Sequence, residues 1–403
     1  MIIVYCTRFT PKSTGHGGNH RSYQVYADLI KSFGKDNVIL LSYSEWLEEN
    51  NKKPFQSISL KRRIILNKYY RLFENIQKNP YRLLWKNKTY HENRYSYPDF
   101  ISTYEEQLSS TQGKVLCIVD DPGFSKVINL NQSQDIPTIC MMHDFESFDY
   151  SPLYNDMDVK IRNSVFMDFV NEVDIYSKCD LSLSISKVEA GFLSGLGLPA
   201  SHYPYYPVGD IRERLLAIRS RRAKESQNLR QFLVLGGSSH PPTGVGMQWF
   251  LQNLATDTTL DNVQFIFAGH GTEKYTKTYG SISFAEFKGY ISESDLADLL
   301  TRVNAVLVLN HTGFGSITRV PDMACAGVPV ICTKHVSFTQ NIPPGAEAVE
   351  VNWEAWQRAI QKHCESKSIS SNLSDYETWE EQQIFPLQKI VENLSFNHSK
   401  ARD

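Results

Sequence analysis

Most of the chain's chemistry is concentrated in "HTGFGSITRVPDMACAGVPVICT". Gly313 and Gly315 let a backbone approach a ligand closely, and the amides opening the segment behind them are donors suited to an anion such as a diphosphate. Phe314, Ser316 and Ile317 lie in the same loop. Arg319 and Asp322 stand three apart, so on a helix they share a face: the guanidinium can meet phosphate and the carboxylate can accept from hydroxyls.

A second glycine cluster, "STGHGGNHRSYQ", holds Gly15, Gly17 and Gly18. Gly17 and Gly18 allow amides near a phosphate or a sugar where a Cβ would collide, although an ordinary strand-to-helix turn uses the same residues. "MMHDFESFDY" closes an apolar run, and ligands of open α/β sheets gather at such carboxyl ends. His143 and Asp144 are therefore expected on the acceptor side, with His143 and Arg319 as the catalytic candidates. The chain has 11 histidines, so only its place at a strand end singles out His143. His240, His270 and His311 also follow apolar runs, and one or two of them are expected at the ligand. Asp120 and Asp121, after "VLCIV", either cap a helix or serve the site.

These residues need elements to hold them. Short β-rich runs at 2–6, 38–43, 115–119, 137–142 and 181–186, and again at 232–237, 263–269, 284–290, 305–310 and 329–333, alternate with helical patterns. That alternation predicts an α/β chain with two parallel sheets, each covered by helices. We divide it into a Rossmann-like domain over 1–206, a linker over 207–230, a second Rossmann-like domain over 231–375, and a helix over 376–403 packing back on the first domain. The linker combines prolines three apart with a basic run and reads as a solvated connector. Residues 52–97, rich in Lys, Arg, Tyr and Trp, read as an insertion of one or two basic amphipathic helices.

With 403 residues, 41% hydrophobic and a net charge of -2, the chain is long enough for two cores and is not a nucleic-acid or membrane polyelectrolyte overall. No nucleic-acid partner is expected. The seven cysteines form no C-x-x-C pair, which argues against a disulfide framework or a zinc site and fits a reducing cytoplasm. The N-terminus lacks the features of a signal peptide, and no apolar run approaches the roughly 18 residues that span a bilayer. The expected location is cytoplasmic, with membrane association through 52–97 as one option and a solvated insertion as the other.

The second half resembles the nucleotide-binding domain of GT-B glycosyltransferases of the retaining family 4, or group 1, type. Their pattern is roughly G-x-G-(S/T)-x-x-K-x-x-E-A-M-A-x-G-x-P-V-V. Here it stands as Gly313, Gly315, Ser316, Arg319, Asp322, Gly327, Pro329 and Val330. "FLVLGGSSHPPTG" is similar to the first strand and phosphate-side loop of that domain, and "FIFAGHG" to its second strand. The resemblance implies a GT-B architecture of two Rossmann-like domains across a cleft. It implies a donor site of Gly236, Gly237, Ser238, His240, Gly269, Lys288, His311, residues 313–317, Arg319 and Asp322. Arg319 takes the place of the family's lysine, and Asp322 that of the glutamate that holds the ribose. Gly17, Gly18, His143 and Asp144 would face the acceptor.

The implied activity moves a sugar from a nucleotide-sugar donor to a saccharide or lipid-linked acceptor, with retention and without a cofactor. The only D-x-D run, at 156–158, precedes a helix rather than following a strand, so no obligatory metal is expected. A nucleotide-sugar epimerase of the same architecture and a catalytically inactive nucleotide-sugar-binding protein are the alternatives.

Overall fold

The computed structural model describes residues 1–50, 97, 100–148, 159–225, 228–365 and 372–400. The expected insertion, apart from Tyr97, and the D-x-D run lie outside these residues.

Among the described residues, twelve strands form two all-parallel sheets. The first contains β1 (Ile2–Thr7), β2 (Val38–Ser42), β3 (Val115–Val119), β4 (Thr138–Met142), β5 (Leu181–Ser184) and β6 (Ala200–His202), in the order β2-β1-β3-β4-β5-β6. The second contains β7 (Asn228–Leu235), β8 (Gln264–Ala268), β9 (Ala285–Gly289), β10 (Val303–Val308), β11 (Val330–Thr333) and β12 (Ala346–Val349), in the order β12-β11-β10-β7-β8-β9. Both edge strands β6 and β12 were missed in the sequence. They are short, with only one buried residue between them, so they lack the apolar runs that mark central strands.

Alternation of side chains builds a core on each face of each sheet. In the first, Val4, Cys6, Cys117, Val119, Cys140 and Met142 face one layer, and Ile3, Tyr5, Leu116, Ile118, Ile139 and Met141 the other. In the second, Leu233, Ile266, Val306 and Val330 oppose Phe232, Phe265, Leu307 and Ile331 in the same way. All seven cysteines are free, and six are buried.

The stretch read as a solvated connector is largely helix, Gly209–Arg222. Ile211, Leu215 and Ile218 are buried in the second core. Its basic end is engaged with backbone: Arg222 donates to the carbonyls of Leu300, Val303, Asn304 and Gly327, and Arg219 to those of Ala324 and Cys325. Carbonyls at helix ends have no intrahelical partner, and guanidinium forks supply one. A run of arginines therefore looked solvated in sequence and is structural in the fold. Beyond the second sheet, helix Leu373–Gln383 buries Tyr376 and Trp379 in the second core, whereas helix Leu387–Lys400 returns Leu387 and Val391 to the first.

Candidate functional site

Each sheet has a point where strand order reverses, between β1 and β3 in the first and between β7 and β10 in the second. In open α/β sheets, ligands bind at the carboxyl ends of the strands at such points.

At the second reversal Gly236 follows β7 and the loop 309–318 follows β10. Arg319 opens helix Arg319–Cys325 and reaches back to donate to the Leu235 carbonyl, with Asn310 Oδ1 3.4 Å from its other arm. Burial pulls its pKa down to about 10, which still leaves it charged at neutral pH. Gly236, at φ 147°, makes room for this: a Cβ there would lie 1.8 Å from Arg319 Nη1. Gly269 makes room in turn for Gly236, whose carbonyl oxygen would be 2.2 Å from a Gly269 Cβ. Asn310 donates to Thr243, which also meets His240 Nδ1 at 3.2 Å at the start of helix Pro241–Leu254. Ser238 is buried, its amide bonded to the His270 carbonyl. The His311 ring packs edge-on to Trp249, and burial lowers its pKa, favouring the neutral imidazole.

Five expected donor residues have partners elsewhere. Lys288 lies on the edge strand β9 and pairs with Glu286 at 2.6 Å, so it is not part of the reversal point. Phe314 packs against Phe148 of the first domain, ring centroids 4.6 Å apart. The Ser316 hydroxyl and the Ile317 amide both donate to Gln340 Oε1, at 2.7 and 2.5 Å. Asp322 is 5% exposed and bonded to His20 and Tyr205. For Phe314, Ser316, Ile317 and Asp322 a partner distant in sequence claims a group that the motif alone left open, whereas Lys288 is taken by a neighbour on its own strand.

At the first reversal, the buried Asp120 follows β3. Its carboxylate accepts from the Arg8 amide (2.8 Å), the Ser22 hydroxyl (2.9 Å), the Tyr5 hydroxyl (3.3 Å) and the Thr7 hydroxyl. His143 Nε2 stands 3.6 Å away, beyond direct bonding, and has no hydrogen-bond partner among the described residues. Asp120 caps no helix. Asp121 accepts from Gly123 N, the Tyr97 hydroxyl and Arg8, and Arg8 also pairs with Glu146. Asp121 foremost, and Glu146 after it, hold the Arg8 pKa well above its ordinary value despite burial.

The two reversal points meet. A Cβ on Gly315, at φ 78°, would lie 3.0 Å from both the His143 carbonyl oxygen and Asp144 Cβ. A Cβ on Gly17 would lie 2.6 Å from Thr318 Oγ1. Helix Gly17–Phe33 starts at this seam, capped by His16, whose Nδ1 accepts from Gly18 N. Burial, and then His143, His20 and Arg8, lower the His16 pKa. Of the sequence candidates, His143, Asp144, Gly17 and Gly315 are thus gathered along one seam, and Arg319 directly follows Thr318, which lines it.

No family profile and no curated protein matches the sequence. Solved structures match the fold over the whole chain. Sucrose-phosphate synthase from Thermosynechococcus elongatus has a TM-score of 0.63 at 14% identity, covering 100% of each chain. The α,α-trehalose 6-phosphate synthase from Burkholderia multivorans has a TM-score of 0.58 at 8% identity, covering 100% of this chain and 98% of its own. HepE from Anabaena, in complex with UDP, has a TM-score of 0.55 at 12% identity, covering 98% of this chain and 100% of its own. The chain has the GT-B fold.

Within this GT-B cleft, sequence reading missed Arg8, His16, His20 and Gln340, and also Lys274, whose Nζ donates to the Ser238 carbonyl at 3.2 Å. A signal was present for two of them: His16 and His20 are four apart across the glycine pair, which places them near one another at a helix start. Nothing local marked Gln340. Among the described residues, no helix is long and apolar enough to cross a membrane.

Proposed function

We propose that the chain is a glycosyltransferase that takes a nucleotide-sugar donor at the β7/β10 reversal and an acceptor hydroxyl at the β1/β3 reversal. The observation that carries this reading is the seating of Gly315 on His143, which puts the buried cation Arg319 and the His143–Asp120 pair on opposite sides of one seam. The likeness to a UDP-bound protein and to two synthases of phosphorylated disaccharides supports it.

In the reaction, the acceptor oxygen bonds to the anomeric carbon as the bond from that carbon to the diphosphate breaks. Negative charge grows on the leaving group, and Arg319 with the amides of residues 313–315 stabilises it. The acceptor proton passes to the departing phosphate oxygen, and His143 orients the hydroxyl. Retention of configuration and independence from divalent metal are part of this proposal, as is a saccharide or lipid-linked acceptor.

Thermal shift of the full chain against UDP, GDP and ADP tests the donor side, because binding raises apparent stability by mass action. One diphosphate is expected to raise Tm, and Arg319→Ala to abolish that rise. Donor and acceptor panels, with and without chelator, then test transfer. An epimer formed from donor alone would establish the epimerase reading, and binding without turnover the inactive one. If none of the three diphosphates binds, the proposal fails.

A further inference from the structure

We infer that Asp322 is a tether between the two domains and does not read the ribose of a bound nucleotide. The tether stands on hydrogen bonds within the chain; its consequence for nucleotides rests on the proposed donor site.

One stripe of helix Gly17–Phe33 holds the chain where it crosses between domains. Arg21 donates to the carbonyls of Tyr203 (2.7 Å) and Pro204 (3.2 Å), and Gln24 to that of Pro204 (3.1 Å). Two turns on, Asp28 accepts from the hydroxyls of Tyr203 (2.5 Å) and Tyr206 (3.3 Å). From this crossing Tyr205 donates to Asp322 Oδ1 at 2.8 Å, and from the same helix His20 Nδ1 meets Asp322 Oδ2 at 3.2 Å. Three elements therefore converge on one carboxylate: a first-domain helix, the crossing segment and the first turn of a second-domain helix.

Burial closes this arrangement. Asp322, Tyr205 and His20 are 5%, 3% and 9% exposed. Each oxygen of the carboxylate already accepts from a partner outside the second domain, and a ribose diol could reach the remaining lone pairs only by parting this packed interior. Removing Asp322 from its partners would leave a buried tyrosine hydroxyl and imidazole unsatisfied, which is unfavourable. Nucleotide recognition then falls to the diphosphate, at Arg319 and the glycine loop, and to the base.

A site built to bond a ligand hydroxyl discriminates strongly against the analogue that lacks it. This chain should not. Calorimetry on the full chain with UDP, GDP and ADP, each alongside its 2′-deoxy and 3′-deoxy forms, is expected to give deoxy and ribo affinities within roughly threefold of one another. A tenfold or greater preference for the ribonucleotide overturns the inference. Hydrogen exchange of Tyr205→Phe and Asp322→Asn provides the arm that needs no ligand. Peptides covering residues 17–24 and 318–325 are expected to exchange faster than in the parent chain, with peptides from β7 and β8 unchanged. Unchanged exchange at the seam also overturns the tether. If no nucleotide binds the parent chain, the glycosyltransfer proposal falls and the exchange result alone decides the tether.

Discussion

The two reversal points are built on opposite electrostatic plans. At the first, a buried carboxylate gathers donors from β1, the loop behind it and helix Gly17–Phe33, all within its own domain. At the second, a buried guanidinium has, among the described residues, only a backbone carbonyl and one distant amide oxygen. The first is a closed polar knot that fixes geometry around His143. The second is an under-coordinated cation: of the five N–H donors a guanidinium carries, these bonds use two, so capacity remains for an anion. Each plan predicts its own pattern of failure.

The most damaging change should be a methyl group at the second reversal. In Gly236→Ala the new Cβ would overlap Arg319 Nη1 at a backbone angle that disfavours side chains, so the guanidinium must leave the Leu235 carbonyl. Loss of a charge-assisted contact costs about 2–3 kcal/mol, on the order of a hundredfold in diphosphate affinity. Its neighbour is the control. A Cβ on Gly237 meets nothing nearer than the His270 carbonyl oxygen at 3.7 Å, and Gly237→Ala should bind as the parent does. Titration of both variants with the preferred nucleoside diphosphate separates the two. Equal effects would mean that the glycine pair acts through loop flexibility rather than through the seat of Arg319.

That pair also shows what the sequence could and could not reveal. "LGGSSH" marks both glycines alike, and only the return of Arg319 from more than 80 residues away makes one of them necessary. The fold was legible because central strands buried on both faces are continuous apolar runs, and the cation was legible because it sits a fixed distance behind Gly-x-Gly. The knot around Asp120 was not. Its donors come from Tyr5, Thr7, Arg8 and Ser22, roughly a hundred residues away, and a pair of aspartates before a helix looks like a cap. The partners of Ser316, Ile317 and Asp322 were hidden for the same reason: Gln340, His20 and Tyr205 share no motif with them.

Asp120→Asn sharpens the comparison from the other side. An amide keeps the shape and its oxygen can still accept from the Arg8 amide, but an NH₂ in place of Oδ2 can serve at most two of the three hydroxyls gathered there, so at least one bond is lost. Global stability should fall by about 2–3 kcal/mol, read from urea midpoints. Nucleotide affinity should be nearly unchanged while turnover falls with the loss of His143 alignment. A variant that instead lost nucleotide binding and kept its stability would reverse the roles assigned to the two reversal points.

The smallest effect lies outside both and sets the background for any pH profile of the site. His202, on edge strand β6, has its ring Nε2 3.1 Å from the Ile185 carbonyl oxygen, and burial pushes its pKa down to about 4, opposed by that carbonyl. A folded-state pKa below the unfolded value of about 6.5 means that the neutral ring is favoured in the fold. Its contribution is complete above that unfolded value and is lost as pH falls from there toward about 4, because the unfolded chain takes up the proton first. His202→Gln, which cannot protonate, should flatten the stability profile over that interval and leave it unchanged at pH 8. His16 and His311, whose pKa values are also lowered by burial, should retain part of the slope. A turnover profile measured in His202→Gln therefore reports the site histidines against a quieter fold, and an unaltered stability slope would show that the β6 edge is not where the acid sensitivity resides.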